Sequence, residues 1–136
     1  MIALASDHAG LPLKQEIMEL LDSMKETLGE NYVAVRFSKK LIDQPCCLAT
    51  EGPVTLEMEK YFRHGPSEEM KNIRASRVLE LNAEHKAFNT IKAAYDSGDK
   101  EKAAHMTKLL SNMAELVAGV DVEDPAEFVG LISELF

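Results

Sequence analysis

The sequence predicts an α+β chain: a small sheet set among helices, ending in a helix hairpin. Three observations carry this. Short alternating or apolar runs stand at "YVAVRFS", "PCCLAT" and "RVLELN". Helical spacing of threes and fours fills the segments around them. Two capped, apolar helix patterns then close the chain over residues 99–136. At 136 residues, with 46% hydrophobic and 28% charged side chains, the whole fits one modest folded domain.

Taken in order, "IALAS" at 2–6 suits a short buried strand and "DHAG" a turn. Residues 13–28 read as a helix, with Ile17, Leu20, Leu21, Met24 and Leu28 on one face and Gly29 as a left-handed cap. "YVAVRFS" alternates as a strand, "KKLIDQP" is a polar connection, and "PCCLAT" is a second short strand. "EGP" turns the chain, and Thr55 caps a helix over 56–63. "HGPSEEMKNIRAS" reads mostly as loop with one helical turn, and "RVLELN" as the third strand. The following helix places Phe88, Ile91 and Tyr95 on one face and stops at Gly98.

Asp99 opens the next helix, in which Ala103, Met106, Leu110, Met113 and Val117 recur at threes and fours. That is the seam of a helix packed lengthwise on other helices; Leu109 and Leu116 widen it, and Gly119 ends it. Asp124-Pro125-Ala126-Glu127 is a strong start for a last helix, expected to run to the final residue. There Phe128, Leu131, Ile132 and Leu135 form a stripe, with Val129 and Phe136 beside it. One face packs on the preceding helix, and apolar surface remains over. Burying such side chains is worth about 1.5–3 kcal/mol each, so leaving several wet is costly. Two such hairpins, one from each of two chains, would cover it as an intermolecular four-helix bundle. The alternative, closure of a monomer's own core, is equally compatible with the periodicity.

A formal charge of -8 argues against nucleic acid and against anionic membrane surfaces, which would repel the chain. Neither a secretory signal nor a membrane span is read, and the last helix is acidic rather than basic on its polar positions. Cys46 and Cys47 are adjacent and the only cysteines, which suits inert thiols in a reducing cytoplasm. His8, His64, His85 and His105 lack metal-ligand spacing and read as solvated or capping groups. No metal and no cofactor is expected.

Two family resemblances follow from quoted residues. "VAVRFSKKLIDQPCCLATEGPVTLEMEKYF", "VLELNAEHKAF" and "MTKLLSNMAELVAGVDVEDPAEFVGLISELF" resemble the C-terminal domain of heat-shock protein 90 chaperones, of the bacterial high-temperature-protein-G type. The resemblance covers residues 24–136 in family order. It implies a small α+β domain ending in two helices that dimerise as a four-helix bundle, and the three strand runs quoted above make its small sheet three-stranded. On that basis the homodimer interface is assigned to Met106, Leu109, Leu110, Met113, Leu116, Val117, Phe128, Leu131, Ile132 and Leu135. At "NAEHK" the sequence departs from the family, which commonly places prolines after Asn82 and His85, so the entry angle of the next helix is not carried over.

"IALASDHAGLPLKQEIMELLDSM" resembles instead the N-terminus of type B ribose-5-phosphate isomerases, the first strand and helix of a doubly wound sheet. That resemblance assigns Asp7 and His8 to the mouth of a sugar-phosphate site. "PCCLAT" lacks the glycines of a phosphate-cradling turn, and no further strand–helix repeats follow, so the site reads as vestigial. The expectation is two segments, 1–24 and 24–136, joined in phase near Ser23–Met24 inside one helix.

The leading functional expectation is therefore a non-catalytic homodimerisation domain of an ATP-dependent chaperone, with no nucleotide bound in this chain. The alternative is aldose–ketose isomerisation of a sugar phosphate, for which Asp7 and His8 alone supply neither pocket nor second catalytic group. Exposed Met and Leu side chains near the helices are read first as packing, with weak contacts to unfolded clients as the other possibility.

Overall fold

A three-stranded sheet organises the chain in the computed structural model, which describes residues 10–136, with side chains from residue 14 onward. Its strands are β1 (Tyr32–Phe37), β2 (Cys46–Glu51) and β3 (Ser76–Leu81). Around it lie α1 (Gly10–Leu28), α2 (Leu56–Arg63), α3 (Lys86–Asp96), α4 (Lys100–Ala118) and α5 (Pro125–Ser133). β3 sits in the middle, parallel to β1 and antiparallel to β2. A central strand sees little water on either side, and Val78, Leu79 and Leu81 are fully buried.

Strand alternation sorts the remaining side chains. Val35 and Leu48 pair with Leu79, and Phe37 and Cys46 pair with Leu81, so these six residues share one face. Helices cover that face. Leu20 and Met24 of α1, Phe88 and Ile91 of α3, and Ala103, Leu110 and Ala114 of α4 join it in one core cluster. The other face is partly polar, where Arg36 bridges Glu80 at 2.9 Å and Glu51 at 2.8 Å.

Local chemistry explains the element ends. Thr55, Asp99 and Asp124 accept from the backbone N–H three residues on, at 3.1, 3.1 and 3.0 Å, and so satisfy orphan donors. Gly119, at φ 81°, closes α4 in the left-handed conformation that other residues resist. α1 runs unbroken through Ser23–Met24, with Leu20 and Met24 both buried. The expected helical turn in the 64–75 loop is Met70–Asn72.

Two differences from the sequence reading stand out. α1 is already helical at Gly10, where the described residues begin, rather than only from residue 13. α5 ends at Ser133 and does not reach Phe136. Its last turn tightens instead, with Leu135 N–H donating to Ile132 O at 3.0 Å and Phe136 N–H to Ser133 O at 3.2 Å. At α3, His85 has the capping role read from the sequence: its Nδ1 accepts from Ala87 N–H at 3.0 Å. The strand expected at 2–6 lies outside the described residues.

Candidate functional site

α4 is the element on which the site is built, because it packs on α1, α3, β2 and α5. Its buried stripe is Ala103, Thr107, Leu110, Ser111 and Ala114. Small side chains let a helix approach its neighbours closely. The two hydroxyls cost little, since Thr107 Oγ1 donates to Ala103 O and Ser111 Oγ to Lys108 O, both at 2.8 Å. The seam expected from periodicity splits accordingly. Ala103 and Leu110 are in the core, Met106 is half-buried, and Met113 and Val117 are exposed.

α5 folds back antiparallel on α4. His105 Nδ1 lies 2.9 Å from Glu134 Oε1 and Lys108 Nζ 3.4 Å from Glu127 Oε1, which sets the pairing of the two helices. Leu109 and Leu131 are buried outside the main core cluster. Of the ten residues assigned to an interface, Leu109, Leu110 and Leu131 are thus buried within the single chain. Met106, Phe128 and Ile132 are half-buried, and Met113, Leu116, Val117 and Leu135 are exposed. The structure gathers Met113, Leu116 and Val117 at the turn end of the hairpin. Leu135 stands at the open end, two residues past the end of α5. Asp7 and His8 lie outside the described residues.

Beneath the α4–α5 connection is a cavity of about 1120 Å³, lined among others by Tyr32, Arg63, Arg77, Lys108, Glu115 and Phe128. Its charges are mostly paired. Arg63 meets Asp121 at 3.0 Å, Lys108 meets Glu127, and Arg77 grips Glu59. Tyr32 Oη donates to Glu115 Oε2 at 2.6 Å across the cavity wall. Burial pushes the Glu115 carboxyl above its ordinary range against the pull of the Tyr32 hydrogen bond. Burial, reinforced by Glu115, likewise keeps the Tyr32 phenol protonated.

Burial also acts on Glu59, but there the Arg77 hydrogen bonds and the Ala75 N–H outweigh it and hold the carboxyl below the usual range. These buried polar pairs escaped the sequence reading, because α2 and α4 give Glu59 and Glu115 no spacing that marks them. Cys46 is buried and its thiol is pushed up to about 12, while burial and Glu80 raise that of Cys47. Neither is disposed to act as a thiolate nucleophile near neutral pH. Among the described residues, no group of three or more His, Cys, Asp and Glu side chains is placed to hold a metal ion. Among them, too, no helix is long and apolar enough to cross a membrane.

Fold and surface together define a class: a small α+β unit that carries exposed apolar side chains on a helix hairpin. The sequence model described as "Hsp90 protein" matches residues 6–136, and the chain belongs to that family. It is 43% identical over 121 residues to the chaperone protein HtpG of Clostridium botulinum (strain Langeland), covering 89% of this chain and 19% of that protein. Against the chaperone protein HtpG of Clostridium perfringens (strain ATCC 13124) it is 38% identical over 134 residues, or 98% of this chain and 21% of the relative. The chaperone protein HtpG of Bacillus velezensis (strain FZB42) is 41% identical over 122 residues, 90% and 19% respectively. The chain spans about a fifth of the length of these relatives. Asp7 and His8 fall inside the family match, and these relatives lend the isomerase alternative no support.

Proposed function

We propose that this chain is the homodimerisation domain of a molecular chaperone, joining two copies through α4 and α5. The observation that carries this is where apolar surface remains. Six of the twelve exposed large apolar side chains among the described residues fall within 113–136: Met113, Leu116, Val117, Val129, Leu135 and Phe136. Val117 is 80% exposed and Leu135 62%. A concentration of this kind on one supersecondary unit marks an interaction surface. A second hairpin would bury it in an intermolecular four-helix bundle, the arrangement the family resemblance implies.

In a full-length chaperone, such a joint raises the local concentration of two attached arms without any chemistry of its own. ATP would be handled by other domains. Met113 and Leu116 at the turn end serve packing between copies first, and weak contacts with unfolded clients second. The free thiols suit a cytoplasmic setting. A division into segments 1–24 and 24–136 has only the isomerase-like residues quoted above behind it, since α1 carries one apolar face across Ser23–Met24 and the family match already begins at residue 6.

The test is molar mass by light scattering during size-exclusion chromatography. The parent chain is expected as a dimer at micromolar concentration, and Val117→Glu with Leu135→Glu as a monomer. Leu110→Glu is unsuitable, because Leu110 is in the chain's own core and its replacement would unfold the monomer. A monomeric parent would end the proposal.

A further inference from the structure

We infer that α5 is held firmly on α4 only when two copies assemble, so that in the monomer the last helix opens readily instead of staying a fixed part of the fold. The inference rests on the dimerisation proposed above and adds how the hairpin behaves when the partner leaves.

In the single chain α5 has little to hold it. Isolated helices shorter than about 12–15 residues are marginal in water, and α5 has nine. Leu131 is its one buried residue, with Phe128 and Ile132 half-buried. Its substantial packing is on α4 alone. Two contacts clamp it, the His105–Glu134 hydrogen bond and the Lys108–Glu127 ion pair, and between part-exposed side chains such contacts contribute little.

Gly130 weakens it further. Glycine is the poorest helix former after proline, and it sits mid-helix here. A Cβ added at Gly130 would meet nothing within 4 Å, so no close approach inside this chain requires the glycine. α4 is the contrast, with 19 residues and Ala103, Leu110 and Ala114 locked in the core. Local opening is therefore far easier for α5 than for the helix it leans on. A second copy covering Val129, Leu135 and Phe136 would supply the missing burial.

Hydrogen exchange read by mass spectrometry along a dilution series of the intact chain tests this, with molar mass measured on the same samples. Amides of 128–133 should lose protection in step with dissociation, while those of 107–114 keep theirs. In the Val117→Glu, Leu135→Glu variant the α5 amides should exchange at least about tenfold faster than in the dimer, with α4 unchanged as the control for folding. Adding Gly130→Ala to that variant should restore part of the lost protection. A dimer whose α5 protection is the same after dissociation would overturn the inference and leave the dimer standing. A chain monomeric at every concentration would remove both.

Discussion

Arg77 and Glu59 meet through two parallel hydrogen bonds, Nη1 to Oε1 at 3.0 Å and Nη2 to Oε2 at 2.9 Å, with both side chains buried. The pair fastens α2 to the central strand of the sheet. Ala75 N–H donates to the same carboxylate at 2.8 Å, so the charge is solvated by protein instead of water.

Removing one partner should therefore be severe. Arg77→Met leaves a buried carboxylate unpaired and should cost about 3–5 kcal/mol, measured by denaturant unfolding at neutral pH. The Glu59 carboxyl lies below its usual range when folded, so its contribution is complete above the unfolded value of about 4.3 and fades as pH falls toward the native one. Glu59→Gln should accordingly be less stable than the parent at neutral pH, with the gap closing in acid. A gap that stayed constant down to low pH would contradict this assignment.

Tyr32 and Glu115 should show the opposite sign. Burial raises the Glu115 carboxyl, so the stability linked to its protonated form is complete below the unfolded value and is lost as pH rises through the folded one. Glu115→Gln should remove that decline and flatten the stability profile on the acid side of neutrality. Tyr32→Phe takes away the 2.6 Å donor and should cost about 1.5–3 kcal/mol at neutral pH. An unaltered pH profile in Glu115→Gln would count against the buried pair.

The end of α4 depends on Gly119 and Lys60. Gly119 holds φ 81°, and Lys60 Nζ donates to Ala118 O at 2.7 Å, a cation at a helix C-terminus. Gly119→Ala should cost about 1–2 kcal/mol from the left-handed backbone. The added Cβ would also come 3.2 Å from Lys60 Nζ. Lys60→Met should cost about 1 kcal/mol. Thermal unfolding of both variants checks this, and an unchanged midpoint in Gly119→Ala would show the turn to be less constrained than its φ implies.

The thiols offer a simple probe of the core. Cys46 Sγ lies 3.3 Å from Leu110 O beneath α4, and its thiol is pushed up to about 12. Alkylation at pH 8 should leave Cys46 unmodified in the folded chain and label it only on unfolding. Cys47, half-buried beside Glu80, should react more slowly than a free thiol. Rapid labelling of Cys46 under native conditions would mean that α4 lifts from the sheet.

The elements were legible in the sequence because their signals are local. Thr55, Asp99 and Asp124 lie within three residues of the N–H groups they cap, and Gly119 ends α4 by its own backbone freedom. The apolar spacing of β1, β2 and β3 likewise belongs to each segment alone. Where a local signal was weak the boundary moved, as at the end of α5, which stops at Ser133, and at the start of α3, where His85 supplies the cap.

Tertiary structure decided what no single segment contains. Periodicity put Met113 and Val117 in the same seam as Ala103 and Leu110, yet the fold buries only the latter two of these, along with Thr107, Ser111 and Ala114. Size and polarity had hidden that stripe. Tyr32 finds Glu115 across 83 positions and Arg77 finds Glu59 across 18. Such pairings follow from strand order and helix docking. Amphipathicity states that a face must be covered, and only the assembled fold chooses which residues cover it.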